Sequence, residues 1–348
     1  MEIRSRGDLA RAAVLLSIGA VLTIAVVLAI GGEGVIEELS RVKIEFFLLA
    51  ILVEVLYVCL WAVRWALIVR AQGQMVPRDI IALTFSGAFF NNITPVSKTG
   101  GEPVRGYLIG RSTDSTFEEG MASVVVDRIF DMVPFVLICL LTFVLAWIFG
   151  LGQNVMLMSI ILIGLLVSTG LSAFFIYGSL RKHAGVRLVF FFIDKLEPLI
   201  SRFRSVDELR ITAEEAIDRF YDGISSISRN RRVLVVSLLI SLALWMLVVL
   251  RLKVIFLSLG ADQSFLLINM VAVAMIFAGF IPFLPGGLVV TEGVMVVLLT
   301  GLGIKADISG SAVLLDRLVS YWFLTFVGGL ASLYLGLKLD ILKTGNRD

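Results

Sequence analysis

The chain has 348 residues, of which 58% are hydrophobic and only 17% charged, and its mean hydropathy is +0.98. That composition excludes a soluble globular protein with an ordinary charged surface and places the chain in a bilayer. The net charge of +2 says little, because in a membrane protein the placement of Lys and Arg matters more than their sum.

Arg4, Arg6 and Arg11 precede an apolar run at 12–30. It is too long for the core of a signal peptide and long enough to span hydrocarbon, so a retained first helix is expected. The next run, 44–69, carries Glu54 well inside it and Arg64 near its end. Segment 79–94 would rise only about 24 Å as a helix. It stops at a polar tip, Asn91-Asn92-Ile93-Thr94-Pro95-Val96-Ser97-Lys98-Thr99-Gly100-Gly101, short of the roughly 30 Å of a bilayer core. Asp127 and Arg128, with Asp131 close by, are expected at the start of a crossing at 132–149, and another crossing follows at 155–177.

The polar stretch 179–232 holds the single histidine, His183. Within it, 205–228 places Leu209, Ile217, Phe220, Ile224 and Ile227 on one face, as an amphipathic helix requires; 187–204 is similar. Both are expected to cap the bundle. The run 233–259 carries Arg251 near its end, where snorkelling to the interface is the expected role. Segment 264–281 runs into Pro282-Phe283-Leu284-Pro285-Gly286-Gly287, after which 288–302, with Thr291 and Glu292, is a second short apolar piece. Asp316 and Arg317 open the last crossing, 315–337. The fold class is therefore an all-α polytopic membrane protein with six full crossings and two re-entrant, broken-helix hairpins. Cys59 and Cys139 lie in apolar runs as packing residues, and one histidine cannot build a histidine metal centre or a Ser-His-Asp triad.

Two stretches of this chain say nearly the same thing. Arg64, Gly73, Pro95 and Gly106 each precede Arg251, Gly260, Pro282 and Gly293 by 187 residues. Gly100-Gly101 answers Gly286-Gly287, and Asp127-Arg128 answers Asp316-Arg317. Basic residues cluster before the first run, between Arg78 and Arg111, across 179–232 and at the C-terminus, while the other connections offer only Arg41, Lys43 and Lys305. By the positive-inside rule both termini and the large loop are cytoplasmic. The two short hairpins then enter from opposite sides, which makes the halves an inverted repeat. The expected organisation is an N-terminal helix at 12–43, a first repeat at 44–149, a linking helix at 155–178, the loop at 179–232 and a second repeat at 233–338.

Broken backbone at membrane depth has to be buried in protein or line a wet cavity. Pro95, Gly100, Gly101, Pro282, Pro285, Gly286 and Gly287 are therefore hinge candidates. Asn91, Asn92, Thr94, Lys98, Glu102 and Arg105 at the first tip, with Arg128, Thr291, Glu292 and Arg317, form the candidate substrate set, because cations and hydrogen-bond donors suit a phosphate oxyanion. Glu54, Asp127, Asp131 and Asp316 are candidates for charge pairs or proton carriers, since an intramembrane carboxylate usually has a partner or a proton to carry. An internal Asp–Arg structural pair is an equally open reading of Asp127-Arg128 and Asp316-Arg317.

The run Asn92-Ile93-Thr94-Pro95 through Gly100-Gly101-Glu102-Pro103-Val104-Arg105, then Val126-Asp127-Arg128, Pro285-Gly286-Gly287, Thr291-Glu292-Gly293 and Asp316-Arg317, resembles the transmembrane region of lysylphosphatidylglycerol synthases. The likeness covers about residues 10 to 340. It implies a flippase-like protein without the soluble synthase domain, and so speaks against aminoacyl transfer.

The leading expectation is a plasma-membrane lipid transporter that moves an anionic phospholipid or polyprenyl-phosphate headgroup by alternating access. No cofactor, metal or nucleic acid is expected, and a homo-oligomer stays open. The alternatives are a membrane-embedded transferase acting on a lipid-linked substrate and a small-solute carrier.

Overall fold

The computed structural model describes Val21, Ala25, Lys195 and residues 34–94, 100–150, 155–183, 186–187, 206–279 and 290–345. The expected first crossing at 12–30 apart from Val21 and Ala25, the expected helix at 187–204 apart from Arg187 and Lys195, and the tip residues 95–99 and 280–289 lie outside the described residues. Among those described, the chain is helical: α1 Gly34–Ser40, α2 Ile44–Ala71, α3 Ile80–Ile93, α4 Gly101–Ser112, α5 Phe117–Ile148, α6 Val155–Leu180, α7 Val206–Ser228, α8 Arg231–Ser258, α9 Phe265–Gly279, α10 Val290–Gly301, α11 Ala306–Arg317, a π-helical turn Leu318–Phe323 and α12 Leu324–Gly345. Five helical stretches are long and apolar enough to cross a membrane: Ile44–Ala71, Phe117–Ile148, Met158–Ser179, Arg231–Ser258 and Ala306–Lys338. The protein is a multi-pass membrane protein.

The repeat seen in sequence is a repeat in structure. Helices α2 and α8 have 28 residues each, and their ends are offset by the same 187 positions as Arg64 and Arg251. Each ends on a glycine in the left-handed region, Gly73 at φ 83° and Gly260 at φ 70°, the conformation that terminates a helix most cheaply when no Cβ is present. This explains why both glycines stand in the repeat.

α2 and α8 pack against each other along their length. The Lys43 amide, at the start of α2, donates to the Ser258 carbonyl at the end of α8 (2.8 Å), so the two helices are antiparallel. Their contacts are also reciprocal. Arg64 reaches Ser241 and Arg251 reaches Glu54, and by the 187-residue offset Ser241 stands where Glu54 does and Arg251 where Arg64 does. A contact and its exchanged copy are the mark of a two-fold relation. With antiparallel members, that relation turns one half upside down relative to the other, the inverted arrangement of many transporters.

α3 and α9, the short apolar helices, pack on α4 and α10 respectively, so each half has a two-helix hairpin that rises only about 18–23 Å per arm. In this respect the structure agrees with the sequence reading. It differs at two helix starts. The crossing expected at 132 begins at Phe117, because Thr116 and Glu119 form a capping box: the Thr116 side chain accepts from the Glu119 amide while the Glu119 carboxylate accepts from the Thr116 amide. The crossing expected at 315 begins at Ala306. Asp127-Arg128 and Asp316-Arg317 therefore lie inside long helical stretches rather than at their starts.

α7 has the amphipathic pattern read from sequence. Its buried Ile224 and Ile227 pack with Ile68, Ala122 and Val126, closing one end of the bundle, and Arg219 faces Glu118 at 3.8 Å. Beyond the end of α6, the Asp218 carboxylate accepts a hydrogen bond from Lys182 at 2.6 Å, which raises the ammonium above its ordinary value. Cys59 and Cys139 are free thiols.

Candidate functional site

Two buried charge networks lie where the repeat puts Arg, Glu and Asp-Arg. In the first, the carboxylate of Asp127 on α5 accepts from Arg64 Nε on α2 (2.8 Å), Arg105 Nη2 on α4 (2.8 Å) and Trp61 Nε1 on α2 (2.8 Å). Arg64 also pairs through Nη2 with Asp131 (2.6 Å) and donates Nη1 to Ser241 Oγ (2.7 Å). Arg128 points the other way, pairing with Glu102 on α4 and, at 3.2 Å, with Asp131. Three guanidiniums therefore face three carboxylates. The Arg105 guanidinium lies over the Trp61 and Trp65 rings, 4.7 and 4.1 Å from their centroids, a stacking that favours a desolvated cation. Among the described residues its Nε and Nη1 have no hydrogen-bond acceptor.

The second network repeats the frame with different occupants. Arg251 on α8 pairs with Asp316 Oδ1 through Nε (3.1 Å) and Nη2 (3.0 Å), and with Glu54 on α2 through Nη1. Ser320 Oγ donates to Asp316 Oδ2 (3.2 Å). Arg317 pairs with Glu292 on α10 at 2.8 Å, as Arg128 pairs with Glu102 on α4. Immediately after Arg317 the helix takes its π turn, and the equivalent stretch of α5 contains Pro134. Irregular helix of this kind concentrates at functional positions.

The arrangement corrects two expectations. Arg251 does not snorkel: it is buried between two carboxylates. Arg105 is not an open phosphate ligand, since it is wholly buried and bonded to Asp127. Asp127, left open between two readings above, is bonded to Arg64 and Arg105 rather than to the neighbouring Arg128.

The tip residues also find partners in the protein. Asn91 Oδ1 accepts from the Gly101 amide (2.7 Å), which closes the α3–α4 hairpin. Asn92 Nδ2 donates to the Tyr321 carbonyl (3.3 Å) and Thr325 Oγ1 (3.0 Å), and Tyr321 O–H returns to the Asn92 carbonyl (3.1 Å). Together with Ser86 and Ser332, 2.9 Å apart, these bonds fasten the first hairpin to α12. Thr94 bonds back to the Phe90 carbonyl (2.7 Å), and Thr291 is buried. Lys98, Pro95, Pro282, Pro285, Gly286 and Gly287 lie outside the described residues. Gly100 and Gly101 stand at the start of α4.

A Cβ on Gly101 would run into the Gly87 carbonyl oxygen and come within 2.9 Å of the Asn91 carboxamide. Gly101→Ala is therefore expected to cost about 1–3 kcal/mol, the usual range for overpacking, and to lower the thermal unfolding temperature of the detergent-purified protein. An unchanged unfolding temperature would show that the hairpin is not closed this tightly.

Sequence reading missed Trp61, Ser241, Tyr321 and Thr325. Ser241 was within reach, because adding 187 to Glu54 lands on it. Trp61 and Trp65 have no counterpart in the second half, where Val248 and Leu252 stand, so the repeat carried no signal for them.

One pair is reachable and its copy is sealed. The side chains of Arg128 and Glu102 are 25% and 12% exposed, and Asp131 is 33% exposed. Arg317 and Glu292 are 6% and 0% exposed.

A family model described as the lysylphosphatidylglycerol synthase TM region matches residues 12–328. A UPF0104 membrane protein of Methanothermobacter thermautotrophicus is 30% identical over 332 residues, covering 94% of this chain and 96% of its own. Another, from Pyrococcus horikoshii, is 32% identical over 326 residues, covering 91% and 95%. A third, from Methanocaldococcus jannaschii, is 26% identical over 337 residues, covering 96% and 97%. No solved structure matches the chain.

Proposed function

The chain belongs to the lysylphosphatidylglycerol synthase transmembrane-region family, and from that premise we propose that it is a lipid transporter that passes an anionic headgroup between the two charge networks. The observation that carries this reading is the unequal exposure of two equivalent pairs, Arg128–Glu102 and Arg317–Glu292. A protein built of inverted halves transports when one half presents its site while the other hides it, and then exchanges the two.

A phosphate or phosphodiester entering at Arg128 would compete with Glu102 for the guanidinium, whose planar fork matches an oxyanion. The exposed face of that pair gives it a route in. Acyl or prenyl chains stay in hydrocarbon while only the headgroup enters. Exchange would bury Arg128 with Glu102 and open Arg317. In this reading Arg105, locked to Asp127 between two tryptophans, fixes the shape of the site and adds positive potential. The distribution of basic residues supports a cell-membrane protein with both termini cytoplasmic.

The test is reconstitution into liposomes containing trace labelled phospholipid or polyprenyl phosphate. Transbilayer movement faster than in protein-free liposomes is the expected result. A folded protein that accelerates neither lipid removes the basis of the proposal.

A further inference from the structure

The two long helical stretches that carry Asp-Arg change partners partway along. α5 is continuous from Phe117 to Ile148 with Pro134 inside it. Before Pro134 it is joined to the first hairpin. Gly120 leaves no room for a Cβ against the Gly106 carbonyl oxygen of α4, Val124 lies in one apolar cluster with Leu83 of α3 and Ile109 of α4, and Asp127 and Arg128 hold Arg105 and Glu102. After Pro134 it is joined to the second hairpin, which comes from the other half of the sequence. The Phe135 and Phe277 rings lie 5.2 Å apart, Thr142 Oγ1 accepts from Asn269 Nδ2 on α9 (2.6 Å), and Ala146 shares a cluster with Met270, Ala274 and Leu298.

The stretch formed by α11, the π turn and α12 does the same in reverse. Up to Arg317 it is joined to the second hairpin, through Arg317 to Glu292 and through a cluster that holds Ala312 and Leu315 with Met295 and Leu299. In and beyond the π turn it is joined to the first hairpin. Tyr321 and Thr325 bond to Asn92, Ser332 to Ser86, Gly328 leaves no room for a Cβ against the Phe85 carbonyl oxygen, and Leu335 joins the cluster of Leu83 and Ile109.

In both stretches the change of partner falls at an irregular point. Proline has no N–H for the carbonyl four residues back, and a π turn widens the same ladder, so bending is cheapest there. We infer that the protein moves as two bodies that cut across the sequence repeat, with hinges at Pro134 and at Leu318–Phe323. The first body is α3, α4, residues 117–133 of α5 and α12. The second is α9, α10, α11 and residues 135–148 of α5. Helices α2 and α8 lie against both, since Trp65 and Leu244 pack on the first and Ala50 and Leu252 on the second.

Rocking of one sequence half against the other, the usual motion of repeat-built transporters, would keep α5 whole. It would pull the first hairpin off α12, breaking the buried bonds of Asn92, and the second hairpin off Phe135 and Thr142. Bending at the two hinges keeps all of these contacts. Each charge pair also lies inside one body, Arg128–Glu102 in the first and Arg317–Glu292 in the second, so relative motion changes what covers a pair without breaking it.

Spin-label distances in lipid vesicles test the two bodies without any measurement of transport. The labels go on exposed positions of a protein in which Cys59 and Cys139 are replaced by alanine. Tyr107 of α4 and Leu333 of α12 are in different halves but one body, whereas Tyr107 and Trp147 of α5 are in one half but different bodies; all three are exposed. The Tyr107–Leu333 pair is expected to give one distance. The Tyr107–Trp147 pair should give two, which merge into one when Pro134→Ala restores the missing helical bond. The reverse pattern would show the halves rocking as units and overturn the inference, as would one distance in both pairs or two in both. Two distances that survive Pro134→Ala overturn the hinge.

A disulfide supplies the second test, and only this one rests on the transport reading. The Ser86 and Ser332 hydroxyls are 2.9 Å apart, so cysteines in their places are within reach of a disulfide. Oxidation of Ser86→Cys with Ser332→Cys should join the two halves in nearly every molecule and leave lipid movement unchanged. Incomplete joining, or a loss of movement that reduction reverses, overturns the first body. A wild type that moves no lipid while the distances behave as stated defeats the transport reading and leaves the two bodies standing.

Discussion

Asp127→Asn is expected to destabilise the protein by about 3–5 kcal/mol, whereas Asp316→Asn, the same change at the equivalent position, should cost only about 1 kcal/mol. Asp127 is fully buried and takes hydrogen bonds from Trp61, Arg64 and Arg105. Neutralising it leaves Arg105 with no carboxylate partner and Arg64 with Asp131 alone, two guanidiniums in a place with no water. Stripping one partner from a buried pair is far more damaging than losing the net worth of the pair, because the survivor keeps its desolvation penalty. At Asp316 the survivor is Arg251, which still holds Glu54, so no guanidinium is left without a carboxylate. Thermal unfolding of the two variants in the same detergent measures the contrast. Equal losses would mean that the second carboxylate on Arg251 does not compensate for the loss of the first.

That contrast also marks how far the sequence could be read. The 187-residue offset located the frame, because Arg, Gly and Asp-Arg are rare enough in an apolar chain to be noticed when they recur. Gly73 and Gly260 recur since both helices need a left-handed residue to end on, and Gly101 is needed where α4 meets the Gly87 carbonyl. Boundaries were less legible. The apolar stretch of α5 suggests a helix starting at 132, although the Thr116–Glu119 capping box announces a start 15 residues earlier. The partners were least legible. Nothing in a one-dimensional pattern says that Arg251 would cross to Glu54, or that Arg64 would cross to Ser241 at the same place in the copy. These contacts follow from antiparallel packing of α2 on α8, which only the three-dimensional arrangement provides. Arg105 is hidden from sequence for a related reason. A cation at a polar tip suits a phosphate, but here the hairpin turns it inward onto Asp127 and two tryptophans.

Arg128→Ala should slow lipid movement by about 10–100-fold, since a charge-assisted contact is worth about 1.5–3 kcal/mol and each 1.36 kcal/mol is a factor of ten in rate. Its thermal stability should fall little, because Glu102 and Asp131 border the exterior and can be hydrated. Arg317→Ala cannot be interpreted in the same way: it strands Glu292, which is fully buried, and loss of fold would mask any loss of transport. The informative variant there removes both partners, Glu292→Met with Arg317→Met. A buried pair exchanged for apolar side chains of similar volume is often neutral or stabilising, so this double variant should fold at least as well as the wild type. If Arg317 is the second station for the headgroup, the well-folded double variant moves lipid at least about tenfold more slowly. If the pair only braces α10 against α11, stability and lipid movement are both preserved, and the exchange of exposure between the two networks loses its role in transport. The corresponding Glu102→Met with Arg128→Met completes the comparison: it removes the reachable pair, and an alternating mechanism requires that it stop movement as fully as the sealed one does.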